Sequence, residues 1–300
     1  MNALDTILLA LDHIETHLGS PLRVADVAAA VGYSVYHFCR TFNQVTHHTP
    51  YDYIVRRRLA QAAGALLDSD PGGRRNTLDV ALEYGFNGPE TFSRAFRRAY
   101  GISPRQARKA GRVDAWRTMP RLTRAHLVHL HKGAYLKPAL VERETRRVAG
   151  VMALLHAARG PETHEREEAL WTWLEGELAV EKASLGGGER YGIAYYGAGW
   201  EKRGYSYLAG VEVPAGETVP PGLAAQVLPA GTWARFVHKG PTRELGLTLD
   251  YVFHTWLPRY GGGLSRPLVV EQFFQNTRHA ECVDGKRAIL IPIREEEERH

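Results

Sequence analysis

Two arginines, Arg40 and Arg94, stand in the same five-residue pattern, F-x-R-x-F: Phe38-Cys39-Arg40-Thr41-Phe42 and Phe92-Ser93-Arg94-Ala95-Phe96. On a helix the two Phe of each block share a face, and the arginine lies about 200° round from the first of them. An outward guanidinium forks onto the O6 and N7 of guanine or onto phosphate, which is nucleic-acid chemistry. A different chemistry is offered by Glu271, an acid within the apolar run Val269-Val270-Glu271-Gln272-Phe273, where it needs an exposed face or a partner. Aromatic walls around such a carboxylate favour a flat organic cation. Glu271, Tyr195, Trp171, Phe236 and Phe273 are the candidate ligand-binding residues.

Other reactive groups point nowhere as clearly. His126, His129 and His131 are spaced H-x-x-H-x-H with no cysteine or flanking acid to complete a ligand set, so no metal is expected. The two cysteines, Cys39 and Cys282, cannot build a disulfide framework. No phosphate-binding loop, dinucleotide fingerprint or nucleophile elbow occurs, so no cofactor is expected. Gly186-Gly187-Gly188 and Gly261-Gly262-Gly263 read as turns, and the closing Glu295–Glu298 run as a solvated tail.

The arginines need a frame, and the sequence repeats one. Each F-x-R-x-F block is followed, eight residues after its last Phe, by a proline, Pro50 or Pro104, and these features recur at a separation of 54 residues. Upstream, Ala28 precedes Gly32 by four residues, as Ala81 precedes Gly85. A small residue where helices cross, then a glycine for a left-handed turn, is helix-turn-helix spacing. Ser34 opens the second helix of one unit, and Asn87, Gly88 and Pro89 open that of the other. Val35, Phe38 and Phe42 are expected inward, as are Phe92 and Phe96. Between the units, Tyr51 to Asp68 predicts a helix of about 27 Å. That length suits two recognition helices one DNA turn, about 34 Å, apart.

This N-terminal part resembles the AraC/XylS family of transcriptional regulators. The likeness rests on Pro21-Leu22 to Ala28, Gly32-Tyr33-Ser34, His37, Arg40-Thr41-Phe42, Val45-Thr46, Tyr53-Ile54, Arg56 to Leu59, Ala81-Leu82, Tyr84, Phe86, Thr91-Phe92 and Arg94-Ala95-Phe96. It implies base contacts from Tyr36, Cys39 and Arg40 in the first recognition helix, and from Pro89, Glu90, Thr91, Ser93 and Arg94 in the second. Ser34 and Arg98 complete the candidate DNA-binding set, and the partner is a double-stranded promoter operator, with RNA polymerase as the protein such a regulator would meet. Members of the family typically carry Trp, Gln and Arg at the first three positions and Gln at those of Pro89 and Glu90. Cys39 cannot make a bidentate contact to adenine, and Glu90 accepts from cytosine or repels phosphate, so the family's operator does not transfer.

After about Pro138 the texture changes to short β-prone runs. Val148–Ala153 leads through Gly160-Pro161 to a helix reaching Trp173-Leu174, then to strands at Tyr191–Tyr196 and Tyr205–Val213. Thr232–Val237 leads through Gly240-Pro241 to a helix reaching Trp256-Leu257-Pro258, then to strands at Pro267–Phe274 and Ala288–Ile293. The unit is β-α-β-β, twice. This half resembles the GyrI-like effector-binding domain in Val148-Ala149-Gly150, Gly210-Val211-Glu212-Val213, His238-Lys239-Gly240-Pro241, Thr255-Trp256-Leu257-Pro258 and Ile291-Pro292-Ile293. The resemblance implies a small organic effector, cationic or aromatic, with Glu271 and Phe273 in its pocket. Ala288 stands where relatives often have a second acid, which counts against the alternative, a small-molecule hydrolase tethered to a DNA-binding domain.

The expected architecture is multidomain: an all-α double helix-turn-helix DNA-binding domain at residues 1–111, a linker at 112–138, and an α+β domain of two β-α-β-β units at 139–300. Composition fits it. With 300 residues, 44% hydrophobic and 24% charged, the chain can bury two cores. The 38 basic and 33 acidic residues leave a small formal charge of +5, but between Gly88 and Arg112 seven basic side chains, Arg94, Arg97, Arg98, Arg105, Arg108, Lys109 and Arg112, face one acid, Glu90. The first residues carry Asp5 and Asp12 rather than a basic segment, and no apolar run reaches membrane-spanning length, so a cytoplasmic, non-membrane protein without enzymatic activity is expected.

Overall fold

A computed structural model describes residues 2–68, 76–131, 137–156, 161–180, 188–197, 199–260, 263–274 and 286–294. The glycine runs at 186–187 and 261–262, Cys282 and the acidic tail lie outside the described residues. The chain forms two compact units, Met1–Gly133 with Asp250–Trp256, and Ala134–Leu249 with Leu257–His300.

The first unit is helical: α1 (Ala3–Thr16), α2 (Val24–Ala30), α3 (Val35–Thr46), α4 (Pro50–Leu67), α5 (Thr77–Glu83), α6 (Pro89–Tyr100), α7 (Pro104–Ala110) and α8 (Arg124–His131). Short polar side chains start α1, α3, α4, α5 and α7 by accepting orphan backbone N–H groups, whereas α6 starts from Gly88 and Pro89 without a side-chain cap. Ser34 accepts from His37, Thr49 from Asp52 ahead of Pro50, and Ser103 and Gln106 form a reciprocal capping box ahead of Pro104. Two cores result. Ile7, Leu11, Ile14, Phe38, Phe42 and Tyr53 fill one, and Leu59, Leu66, Val80, Phe92, Phe96 and Tyr100 fill the other. Helix α4 therefore serves both, its first half in one core and its second half in the other. Within the stretch expected as linker, Met119, Leu122 and Leu127 also enter the first core.

The second unit is a nine-stranded antiparallel sheet: β1 (Ala139–Arg143), β2 (Arg146–Leu155), β3 (Arg190–Tyr195), β4 (Tyr205–Glu212), β5 (Ala224–Leu228), β6 (Gly231–Lys239), β7 (Gly263–Leu264), β8 (Leu268–Phe273) and β9 (Lys286–Arg294). Helix α9 (Pro161–Val180) follows β2, and α10 (Trp200–Arg203) precedes β4. Helix α11 (Leu245–Tyr251), a π-helical turn (Val252–Trp256) and α12 (Leu257–Tyr260) follow β6.

The strand order β1-β6-β9-β8-β3-β4-β2-β5 makes the internal duplication visible. Strands β2, β3 and β4 of one β-α-β-β unit mirror β6, β8 and β9 of the other about the β3–β8 pair. Of three strands not expected from the sequence, β7 pairs with β9, and the other two, β1 and β5, complete the edges. Each precedes its own unit in the chain but pairs with the outermost strand of the opposite one, β1 with β6 and β5 with β2.

Candidate functional site

The two helix-turn-helix units are built alike. Gly32 and Gly85 both take φ 72°, a left-handed conformation that suits glycine. The next residue in each turn donates its N–H back to the helix alanine: Tyr33 to the Ala28 carbonyl and Phe86 to the Ala81 carbonyl, both at 2.9 Å. The turn glycines are 53 residues apart and the recognition helices 54, because the second unit spends one more residue before Pro89 begins α6. The phenylalanine pairs repeat as well. Phe38 and Phe42 have ring centroids 5.5 Å apart, as do Phe92 and Phe96, and all four are fully buried.

With one face of α3 and α6 fixed in this way, the opposite face is solvent-facing. Ser34, Tyr36 and Arg40 are exposed and Cys39 is half-buried on α3 and at its cap; Pro89, Glu90, Thr91, Arg94 and Arg98 are exposed and Ser93 is half-buried on α6. Arg97, Arg105, Lys109 and Arg112 add exposed positive charge nearby in sequence. Val35, expected to pack inward, is 46% exposed, because as the first residue of α3 it precedes the turn that meets the core.

The basic run on α4 is a different matter. Three consecutive arginines, Arg56 to Arg58, hold the first unit together. Arg57 makes a bidentate pair with Glu15, Nε and Nη2 each 2.8 Å from a carboxylate oxygen, and donates from Nη1 to the Met119 carbonyl. Arg58 donates to three carbonyls, those of Leu18, Ser20 and Gly85, at 2.9, 2.7 and 3.1 Å. It thus ties the end of α1 to the second turn. Arg56 donates to the carbonyl of His254. His126, from the histidine cluster, lies 3.0 Å through Nε2 from Asp250 Oδ2. Among the described residues no three His, Cys, Asp or Glu gather as a metal site.

In the second unit, Glu271 lies on β8 and is 4% exposed. Its Oε2 accepts from Nη1 of Arg287, on β9, at 2.7 Å, and Arg287 has no exposed surface. The guanidinium also sits 5.2 Å over the Phe273 ring, whose edge meets Trp171 of α9 at 5.0 Å between centroids. Trp171 donates through Nε1 to the Tyr207 hydroxyl at 3.4 Å. Burial, followed by the charges of Glu271 and Glu167, pushes the Tyr207 phenol well above its ordinary range, so it stays protonated. Glu167 in turn accepts from the Tyr205 hydroxyl at 3.1 Å. Gly192 is required beside them: a Cβ there would stand 2.2 Å from the Tyr207 hydroxyl.

Four of the five candidate ligand residues share this face. Phe236 pairs with Ile289, which pairs with Glu271, so the three stand in one row across the sheet. Tyr195 does not join them. It alternates with Ala194 along β3 and so lies on the opposite face, with Ile193 and Tyr191, and is 48% exposed. Arg287, Glu167 and Gly192 escaped the sequence reading. The signal for Arg287 was present: a cation ahead of the run Ala-Ile-Leu-Ile needs a partner as much as an acid in an apolar strand does.

Comparison with known proteins gives each unit a relationship. Residues 27–110 match a helix-turn-helix domain family and residues 137–294 the GyrI-like small molecule binding domain family. Among curated relatives, the transcriptional regulator Rob of Salmonella typhimurium is 38% identical over 109 residues, 36% of this chain and 36% of Rob. The regulatory protein SoxS of Escherichia coli is 40% identical over 91 residues, 30% of this chain and 81% of SoxS. The chain thus matches little more than a third of the length of Rob. A solved transcriptional regulator with an AraC-type DNA-binding domain, from Chromobacterium violaceum, is 26% identical with a TM-score of 0.33, covering 36% of this chain and 92% of that one. No described helix is long and apolar enough to cross a membrane.

Proposed function

We propose, for a chain that belongs to the GyrI-like small molecule binding domain family through residues 137–294 and carries a helix-turn-helix domain ahead of it, that it is a DNA-binding transcription regulator governed by a small organic effector. One observation carries the DNA half of this reading: α3 and α6 bury the same phenylalanine pair and expose the same arginine, Arg40 or Arg94. Surface arginines have no packing reason to recur in register on two helices whose inward faces are matched. Tyr36, Cys39 and Arg40 of α3, and Pro89, Glu90, Thr91, Ser93 and Arg94 of α6, are the base-facing residues in this reading, with Ser34 and Arg98 toward the sugar-phosphate backbone. A protein so placed at a promoter works by helping or obstructing RNA polymerase.

The effector face is that of Glu271, with Trp171, Phe236 and Phe273. Arg287 already neutralises the carboxylate, so an aromatic cation binds there by competing with Arg287, and both groups are buried, so entry and rearrangement are one event. This face holds two buried acids and both are engaged, Glu271 by Arg287 and Glu167 by the Tyr205 hydroxyl, with Ala288 in place of a further one, so the chemistry of this face is binding rather than hydrolysis. The test has two arms on the full chain. Selection from a random double-stranded library should enrich defined sequences, and no enrichment refutes the regulator. A panel of aromatic cations, each with a neutral isostere, should raise the melting temperature only for the cations. Equal shifts for both members of each pair refute the charge-based site.

A further inference from the structure

The two recognition helices occupy the same frame but do not carry the same chemistry. Counting 54 residues along the repeat takes Arg40 to Arg94, Cys39 to Ser93 and Tyr36 to Glu90. Along the recognition helices themselves the register of 54 holds, with the same buried phenylalanine pair beneath the same exposed arginine, so within each helix the difference in what is offered comes from side-chain type. Four residues separate 36 from 40 and 90 from 94, so each pair stands on one face, one turn apart. That rise of about 6 Å spans between one and two base-pair steps. Each helix therefore offers an arginine and one further side chain to neighbouring base pairs.

The shared arginine selects guanine through O6 and N7. The neighbours divide. Tyr36 is 77% exposed and presents a ring edge with a hydroxyl, which suits apolar contact with the methyl group of thymine. Glu90 is exposed and is the sole acid of α6, a helix that otherwise carries Arg94, Arg97 and Arg98. A carboxylate brought against DNA is repelled by phosphate and can accept from two amino groups of the major groove, cytosine N4 and adenine N6; the acceptor N7 beside adenine N6 repels it, which leaves cytosine as its better partner. Its place in the first turn of α6 suits a negative charge, because the helix dipole is positive there. Acids that repel all but one base also specify by exclusion.

From this mismatch, and resting on the DNA-binding reading above, we propose that Tyr36 and Glu90 set the base beside the guanine that each arginine reads: thymine under Tyr36 in the α3 subsite and cytosine under Glu90 in the α6 subsite.

The experiment is selection from a random double-stranded library with the full-length wild type, Glu90→Gln and Tyr36→Glu, each confirmed as folded by circular dichroism. The wild type should enrich two unlike subsites, with cytosine favoured at one position by about tenfold or more, the scale of a good base contact. Glu90→Gln should abolish that cytosine preference and leave both guanine preferences in place. Tyr36→Glu should install a cytosine preference in the other subsite. If Glu90→Gln instead strengthens binding to every sequence alike, Glu90 only repels phosphate and the proposal falls. Two identical subsites in the wild-type selection overturn it as well. Failure of the wild type to enrich any sequence removes the regulator reading itself, a result distinct from both.

Discussion

Glu271 and Arg287 face each other across β8 and β9 as a buried pair, 2.7 Å apart, with 4% and 0% of their surfaces exposed. Removing one member of such a pair leaves a charge in a dry environment, which costs about 3–5 kcal/mol, whereas replacing both with apolar groups is often neutral. Glu271→Gln should therefore lower the unfolding free energy by several kcal/mol, and Glu271→Gln with Arg287→Met should recover much of the loss. Urea denaturation of the three proteins checks this. A single mutant as stable as the wild type would show that the pair is not retained in solution.

Arg40→Ala and Arg94→Ala should each weaken specific DNA binding by about 1–3 kcal/mol while leaving stability unchanged, since both are exposed. Titration against a selected sequence and against random DNA separates the roles. Equal losses on both would assign the two arginines to phosphate.

Arg58→Ala should destabilise the first unit, because three carbonyls, those of Leu18, Ser20 and Gly85, lose a charged donor together. Each hydrogen bond to a charged group contributes about 1.5–3 kcal/mol, and water replaces part of that at a half-buried site. A loss of about 2–3 kcal/mol by denaturant unfolding is expected. If Arg58 were instead a phosphate contact, the mutant would fold normally and lose salt-dependent DNA affinity.

His254 is held by burial at a pKa of about 4, below its ordinary 6.5, with Asp250 pulling the other way and Arg56, His48 and His126 adding to the depression. Because the folded state resists the proton, stability is full above about pH 6.5 and is lost as pH falls toward 4. At about 1.4 kcal/mol per pH unit the loss reaches about 3 kcal/mol. His254→Gln should flatten that slope. An equally steep decline in the mutant would place the titration elsewhere.

Gly192→Ala should destabilise the second unit by about 1–3 kcal/mol, since the new methyl meets the Tyr207 hydroxyl and the Trp171 hydrogen bond to it must shift. Tryptophan fluorescence during unfolding reads both effects. Gly192→Ala with Tyr207→Phe removes the colliding oxygen and should regain stability.

Residue spacing carried the first unit well, because a helix-turn-helix is local. The Ala-x-x-x-Gly step, the cap at Ser34, the proline that opens α6 and the phenylalanine pairs all act within a few residues of each other. What it could not separate was one arginine from another. Arg40 and Arg57 are alike in composition, and only the three-dimensional position of Glu15 makes Arg57 structural. The second unit was legible as two β-α-β-β units for the same reason of local pattern. Strands β1 and β5 escaped because they are five residues long, partly polar, and acquire their partners from the far half of the chain. Tyr195 was grouped with Glu271 by residue type, although the period of two along Tyr191-Gly192-Ile193-Ala194-Tyr195 already assigns it to the other face. The partner of Glu271 lies 16 residues away, at a register no local rule specifies.

The crossed edge strands make the duplicated sheet indivisible. A fragment ending after β4 would keep β2 but lose β5, the strand that covers its edge, and a fragment starting at β6 would lack β1 in the same way. Each half thus arrives with the other's missing border. Separate expression should yield chains with bare, adhesive margins that aggregate alone and recover when mixed, and the intact sheet should melt in a single step, so that disturbance at one end is felt at the other.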